Sequence, residues 1–247
     1  MLATRIFRRD LGGTASAMGA LLLPMAAALA SLGEGMGPAV MSASLLSAAA
    51  SLLGILSAVE GVMDDREGWI SPLIVSLGRR KYAVLRTAVS ISVSATAAAP
   101  ALAFYALLKP ASAAPAAAAT LFSASAGSSL GVLIGLAAPT RGYAYAWGVS
   151  AWTALALVYE VVLTFISLYF PVSEVAAAAS LLANPLVAAR LSGVVQADPH
   201  LLTLGAVGDY LYKSLGTHAP LLFPAVAVAW IFATSAAAVM AASRRDL

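Results

Sequence analysis

The chain has 247 residues, of which 61% are hydrophobic and 10% charged, with 14 Lys+Arg against 11 Asp+Glu and a net charge of +3. About a quarter of the residues of a soluble domain are charged, so this composition, with a mean hydropathy of +0.91, predicts an all-α polytopic membrane protein. The absence of cysteine excludes disulfides, thiolate metal sites and cysteine nucleophiles, and the small basic excess gives no indication of a nucleic-acid partner.

In chain order, residues 2–11 predict an amphipathic helix with Arg5, Arg8 and Arg9 on one side and Leu2, Ala3, Ile6, Phe7 and Leu11 on the other. Such a helix suits the cytoplasmic membrane surface, with Gly12-Gly13 as the elbow into the first span. Asp10 sits on the wrong face for this and is read as the helix end. The competing reading is a secretory signal peptide cleaved after Ala28-Leu29-Ala30.

Apolar segments at about 14–32, 39–63, 83–108, 116–138, 145–170 and 221–242 predict six spans, each near the ~20 residues needed to cross the hydrocarbon. The second carries small residues at helical spacing, including Ser47, Ser51 and Gly54; the fourth carries Gly127, Gly131 and Gly135. Small stripes let backbones approach closely in lipid, so both faces are expected to be packed against protein. The serines Ser90, Ser92 and Ser94 visit several faces of the third span, and no site is read in them.

Between spans 2 and 3 lies a long polar interruption, Glu60 to Arg86. It holds acids (Glu60, Asp64, Asp65, Glu67), a short apolar run (Ile70, Leu73, Ile74, Leu77) and a basic cluster (Arg79, Arg80, Lys81). Ser71 can cap a helix beginning at Pro72, and Gly78 can end it. The bland reading is a solvated loop. A capped helix with one apolar face predicts instead a docking knob for a partner's groove.

Residues 171–220 are semi-polar, with apolar runs too short to span; Val175–Ala183 reads as a short helix, and Asn184-Pro185 starts another. With the N-terminus inside, Arg5, Arg8, Arg9, Arg66, Arg79, Arg80, Lys81, Arg86, Arg141, Arg244 and Arg245 are cytoplasmic, against Lys109, Arg190 and Lys213 outside. That asymmetry places both termini in the cytoplasm and 171–220 outside the cell membrane.

No G-x-x-x-x-G-K-[ST] phosphate loop occurs. The histidines, His200 and His218, fall outside the spans, which argues against an intramembrane serine protease. No catalytic residue and no metal ligand is assigned. Met25, Met36 and Met41 are read as space-filling, with soft copper ligation as the competing reading. Glu160, the acid well inside a span, is by default a functional candidate; a protonated acid bonded to a neighbouring helix is the alternative.

Three stretches carry a resemblance: Asp64-Asp65-Arg66-Glu67-Gly68 continued by Leu77-Gly78-Arg79 and Arg86; Glu160 in span 5; and Leu181-Leu182-Ala183-Asn184-Pro185 through Arg190-Leu191. Taken in order, they resemble ABC transporter permeases of the type 2 exporter class, and within it the NosY-like permeases of nitrous oxide reductase copper maturation. The chain departs in lacking a proline just before Leu77 and in having Arg86 where a lysine is usual. The resemblance implies one permease domain over 1–247, with an elbow helix at 2–11, a cytoplasmic coupling loop at 64–82 and a short helical extracytoplasmic segment at 171–220. It further implies a non-catalytic homodimer on two ATPase subunits, which hold the ATP and Mg²⁺, so this chain itself carries no cofactor. The Pro72–Leu77 helix would couple to the ATPase, and the outer segment, with Asn184, Pro185 and Arg190, would meet an extracytoplasmic accessory protein. Two rival readings remain: an ABC export permease for lipid, drug or peptide, and a self-contained secondary transporter, which predicts inverted repeats and broken helices.

Overall fold

The structure is a computed structural model and describes residues 2–13, 19, 23–29, 36–68 and 77–244. Most of the first expected span (14–32) therefore lies outside the described residues, as do Ile70, Leu73, Ile74 and all of the expected coupling helix except Leu77.

Every regular element among the described residues is helical. The main α-helices are α1 (Leu2–Leu11), α2 (Met36–Glu67), α3 (Arg79–Leu108), α4 (Ala113–Ala137), α5 (Arg141–Trp152), α6 (Tyr159–Tyr169), α7 (Glu174–Ala183), α8 (Pro185–Ala197), α9 (Gly205–Leu215) and α10 (Ala219–Arg244), with short 3₁₀ turns at Pro110–Ser112, Leu202–Leu204 and Gly216–His218. A π-helical stretch, Thr153–Val158, joins α5 to α6. Among the described residues five segments are long and apolar enough to cross a membrane: Ala39–Glu67, Arg79–Leu108, Pro110–Ala137, Arg141–Tyr169 and Leu202–Arg244. The α7–α8 pair, bent by 105°, makes a sixth if it counts as one span. This is the makeup of a multi-pass membrane protein.

The centre of the bundle is the α2–α4 pair, where the two small-residue stripes face each other. A Cβ on Gly54 would lie 2.5 Å from the Ala124 carbonyl oxygen, and one on Gly127 or Gly131 would strike the carbonyls of Ser51 or Ile55. The backbones touch because nothing larger than hydrogen stands between them, the arrangement that supplies packing energy where water is absent. Ser47 and Ser51 are buried and donate their hydroxyls to the carbonyls of Ser44 and Ala48 on their own helix, so neither hydroxyl is left unpaired.

Two serines of the third span face α4: Ser94 Oγ lies 2.7 Å from Ser128 Oγ, and Ser90 is buried. On the other side Thr234 of α10 donates to Ser129 Oγ at 2.7 Å.

Two expectations meet a different arrangement. The apolar face of α1, assigned to the membrane surface, is turned into the protein: Ile6 is buried, and Ala3 and Phe7 pack on a core that includes Tyr82, Ala83, Ala238 and Ala242. The 171–220 segment is helical, but α8 is not outside the bundle. Leu186, Val187, Ala188, Ala189 and Leu191 are buried, and α8 packs on α4, α10 and α2. A Cβ on Gly193 would collide with the backbone of Pro115 and Ala119, so small residues admit this helix to the core despite its polar neighbours.

Candidate functional site

Two polar constellations stand in this apolar frame. The first lies where α1 meets the ends of α2 and α3. Arg86 points from the first turns of α3 into the protein, and its side chain has no exposure. Its Nη1 is 2.5 Å from Asp10 Oδ2 and 3.5 Å from Asp65 Oδ2. Arg9 Nη2 closes the ring, 2.8 Å from Asp10 Oδ1 and 2.6 Å from Asp65 Oδ1. The Tyr82 hydroxyl donates to Asp65 Oδ2 at 2.8 Å. Two cations and two anions leave the cluster neutral, the condition under which charges are tolerated in an apolar interior. Burial works against the charge on Arg9, but Asp65 and Asp10 outweigh it and raise its pKa above the ordinary arginine value. Space for the Arg86 guanidinium exists because residue 61 is glycine; a Cβ there would overlap it.

The neighbouring charges of α2 are tied down as well. Arg141 pairs with Asp64 at 2.6 Å and Glu67 at 2.8 Å. Arg66 Nη1 donates to the carbonyls of Gly135 at 3.1 Å and Ala138 at 2.8 Å, satisfying the open carbonyl end of α4. Each charged residue from Asp64 to Glu67 thus fastens α2 to another element. Asp65, expected on the rim of a docking surface, is wholly buried and cannot serve there. Asp64 and Glu67 keep partial exposure, Glu60 is half-buried, Arg79 is half-exposed and Arg80 exposed.

The second constellation surrounds the break between α7 and α8. Asn184 holds it from both sides: its Oδ1 accepts from the N–H groups of Leu186 (2.9 Å) and Val187 (3.2 Å), while its Nδ2 donates to the Leu155 carbonyl (2.7 Å). Leu155 belongs to the π-helical stretch, a wide turn that often marks functional sites. The last turn of α7 gives its carbonyls to side chains of other helices: Tyr159 Oη donates to Ser180 (2.6 Å) and Trp230 Nε1 to Leu182 (2.9 Å). Broken backbone at membrane depth is tolerated only with such partners. Beside it, Arg190 Nη1 meets Glu160 Oε1 at 2.7 Å and Oε2 at 2.8 Å, with both side chains partly exposed.

The acid in span 5 is therefore paired with a residue expected outside. Its semi-polar surroundings in sequence place Arg190 outside the spans, whereas α8 carries it into the bundle.

Sequence reasoning missed Asp10, Arg9, Tyr82 and Arg141 as site residues. One signal was available: an acid on the apolar face of an amphipathic helix needs a buried partner. His200 stacks edge-on against Tyr212, and Met25 and Met41 are exposed rather than packed. Among the described residues no group of three His, Asp or Glu could hold a metal ion. No protein-family model and no curated protein matches this chain.

Proposed function

We propose that the chain is the membrane permease subunit of an ABC transporter of the type 2 exporter class, working as a homodimer with separate ATP-hydrolysing subunits on its cytoplasmic side. The observation that carries this reading is the rooting of the stretch Asp64–Glu67. Immediately before residues 69–76, four consecutive charged side chains fasten α2 to α1, α3, α4 and Arg141. A helix end anchored in this way passes a push to the whole bundle instead of absorbing it, which is what coupling to an ATPase demands.

The α5–α6 span supports the homodimer: none of its most apolar stretch is buried, and the Glu160–Arg190 pair on it is part-exposed. Lipid is a poor match for charge, and a second copy brings charge of both signs. A NosY-like role in copper maturation, with an extracytoplasmic accessory partner, rests on the motif resemblance alone.

One observation favours a second reading. The sharply bent α7–α8 pair with its polar partners is the broken-helix geometry of secondary transporters. Co-purification separates the two. Wild type should bring down an ATPase subunit; Leu73→Asp, which places a charge amid the apolar residues of the 69–76 stretch, should release it while the spans stay inserted. Arg80→Ala should be milder, since rim charges mainly tune orientation and on-rate. A chain that transports with no ATPase bound would establish the secondary transporter instead.

A further inference from the structure

The acids at the end of the bundle that carries α1 are consumed by the protein itself. Asp10 and Asp65 are turned inward onto Arg86 and Arg9, while Asp64 and Glu67 are held by Arg141. What remains at the surface is positive. Arg5, Arg8, Arg80, Lys81 and Arg244 are all exposed, and none of them has an ion-pair partner among the described residues. They come from three elements that share one core: α1, the start of α3 and the end of α10. Between the last two lies a concavity of about 420 Å³ lined by Leu77, Gly78, Arg79, Arg80, Lys81 and Ser243.

We infer that this surface binds the phosphate headgroups of anionic phospholipids. Arg80 and Lys81 open one membrane-spanning helix and Arg244 closes another, so their charges stand within a turn of the apolar segments, at headgroup level, where long basic side chains reach toward lipid phosphates. The turned-in face of α1 adds a second argument. Ile6 is buried and Ala3 and Phe7 are packed on the protein core, leaving Leu11 as the exposed apolar side chain among the described ones, so the helix meets the membrane chiefly through Arg5 and Arg8. Attachment is electrostatic, not by insertion of an apolar face, and weakens with salt because exposed charges are screened beyond about 10 Å at 0.1 M. An acidic protein surface is the other class of partner a basic patch fits, and the position beside the apolar spans favours lipid.

The test is lipid retention by the full-length chain extracted from vesicles of equal phosphatidylglycerol and phosphatidylcholine. Retained lipid should be enriched in phosphatidylglycerol about fivefold or more, given roughly one such factor per basic residue at the surface. The combined Arg5→Gln, Arg8→Gln, Arg80→Gln and Lys81→Gln variant should lose the enrichment. The matching variant with lysine at positions 5, 8 and 80 and Lys81 unchanged should keep it, which separates charge from folding. Lys213→Gln, a cation already paired with Asp209, should change nothing. Equal retention of the two lipids by wild type would overturn the inference, as would undiminished enrichment in the glutamine variant. Displacement of the lipid by millimolar soluble glycerol phosphate would assign the surface to free phosphate esters. A glutamine variant that keeps its lipid but loses ATPase co-purification would assign it to the ATPase.

Discussion

Glu160 and Arg190, thirty residues apart in the chain, form a two-pronged ion pair between α6 and α8. Beyond this pair α6 is almost bare: from Val161 to Tyr169 every residue except Leu163 is exposed. The pair, the Tyr159–Ser180 bond and the Asn184–Leu155 bond are the polar ties at the base of that helix.

Breaking one partner leaves the other uncompensated. Arg190→Gln should lower stability in neutral detergent by about 1–2 kcal/mol, below the 3–5 kcal/mol of a fully buried pair because both side chains keep some exposure. The double variant Glu160→Gln/Arg190→Gln should be more stable than Arg190→Gln alone. Thermal unfolding of wild type, the two single variants and the double decides; a double variant as weak as the sum of the singles would deny the pairing. If the acid also matters to transport, Glu160→Gln will assemble normally and transport poorly.

The α2–α4 contact has no slack. Gly131→Ala places a methyl against the Ile55 carbonyl and should cost about 1–3 kcal/mol as overpacking; Gly131→Leu should prevent assembly. Gly142→Ala meets nothing within 4 Å and serves as the control. Equal yields of monodisperse protein from Gly131→Leu and wild type would refute the close approach.

The parts of this architecture that local pattern can carry were legible. Apolar runs mark the spans, Gly127, Gly131 and Gly135 mark a close-packing face, and Asn184-Pro185 marks a helix start. What those faces pack against was not legible, because nothing local links Gly131 to Ile55 or Glu160 to Arg190. Arg190 reads as an outside residue since polar neighbours dilute the apolar signal of α8, although its small residues fit the core. The face of α1 misled for a related reason: an amphipathic helix signals that one side is covered, and says nothing of whether lipid or protein covers it.

Asp198 lies outside the spans and stabilises a turn. Its Oδ2 accepts from the Thr203 N–H at 2.6 Å, beside Leu201, which holds a left-handed φ of 59° that a branched side chain adopts at a cost. Burial works to raise the pKa of Asp198, but the bonds from Thr203 and Leu202 outweigh it and hold it below the ordinary carboxylate value. A lowered folded pKa contributes stability that is present above the unfolded value, about 3.9, and is lost as pH falls through the folded one. The stability gap between wild type and Asp198→Asn should therefore be present at about pH 5 and shrink below about pH 4. A gap that stays constant down to pH 3 would show that the carboxylate charge plays no part.

The sharpest test of the buried network uses the missing side chain at position 61. Arg86 lies where a Cβ of residue 61 would be, so Gly61→Ala must push the guanidinium off Asp10 and Asp65. That takes one of the two cations away from the two carboxylates, and the loss should approach the roughly 3–5 kcal/mol of a broken buried pair. Arg86→Ala removes the same charge and should cost about as much. In that background the methyl at position 61 has room, so adding Gly61→Ala should cost almost nothing more. Residues in contact couple in this way, whereas independent sites add. The measurement is a double-mutant cycle on thermal unfolding, with ATPase co-purification as a second readout, because loosening Asp65 also loosens the end of α2 that precedes residues 69–76. Additive losses would mean that Arg86 does not occupy the space beside Gly61, and the network would have to be drawn without it.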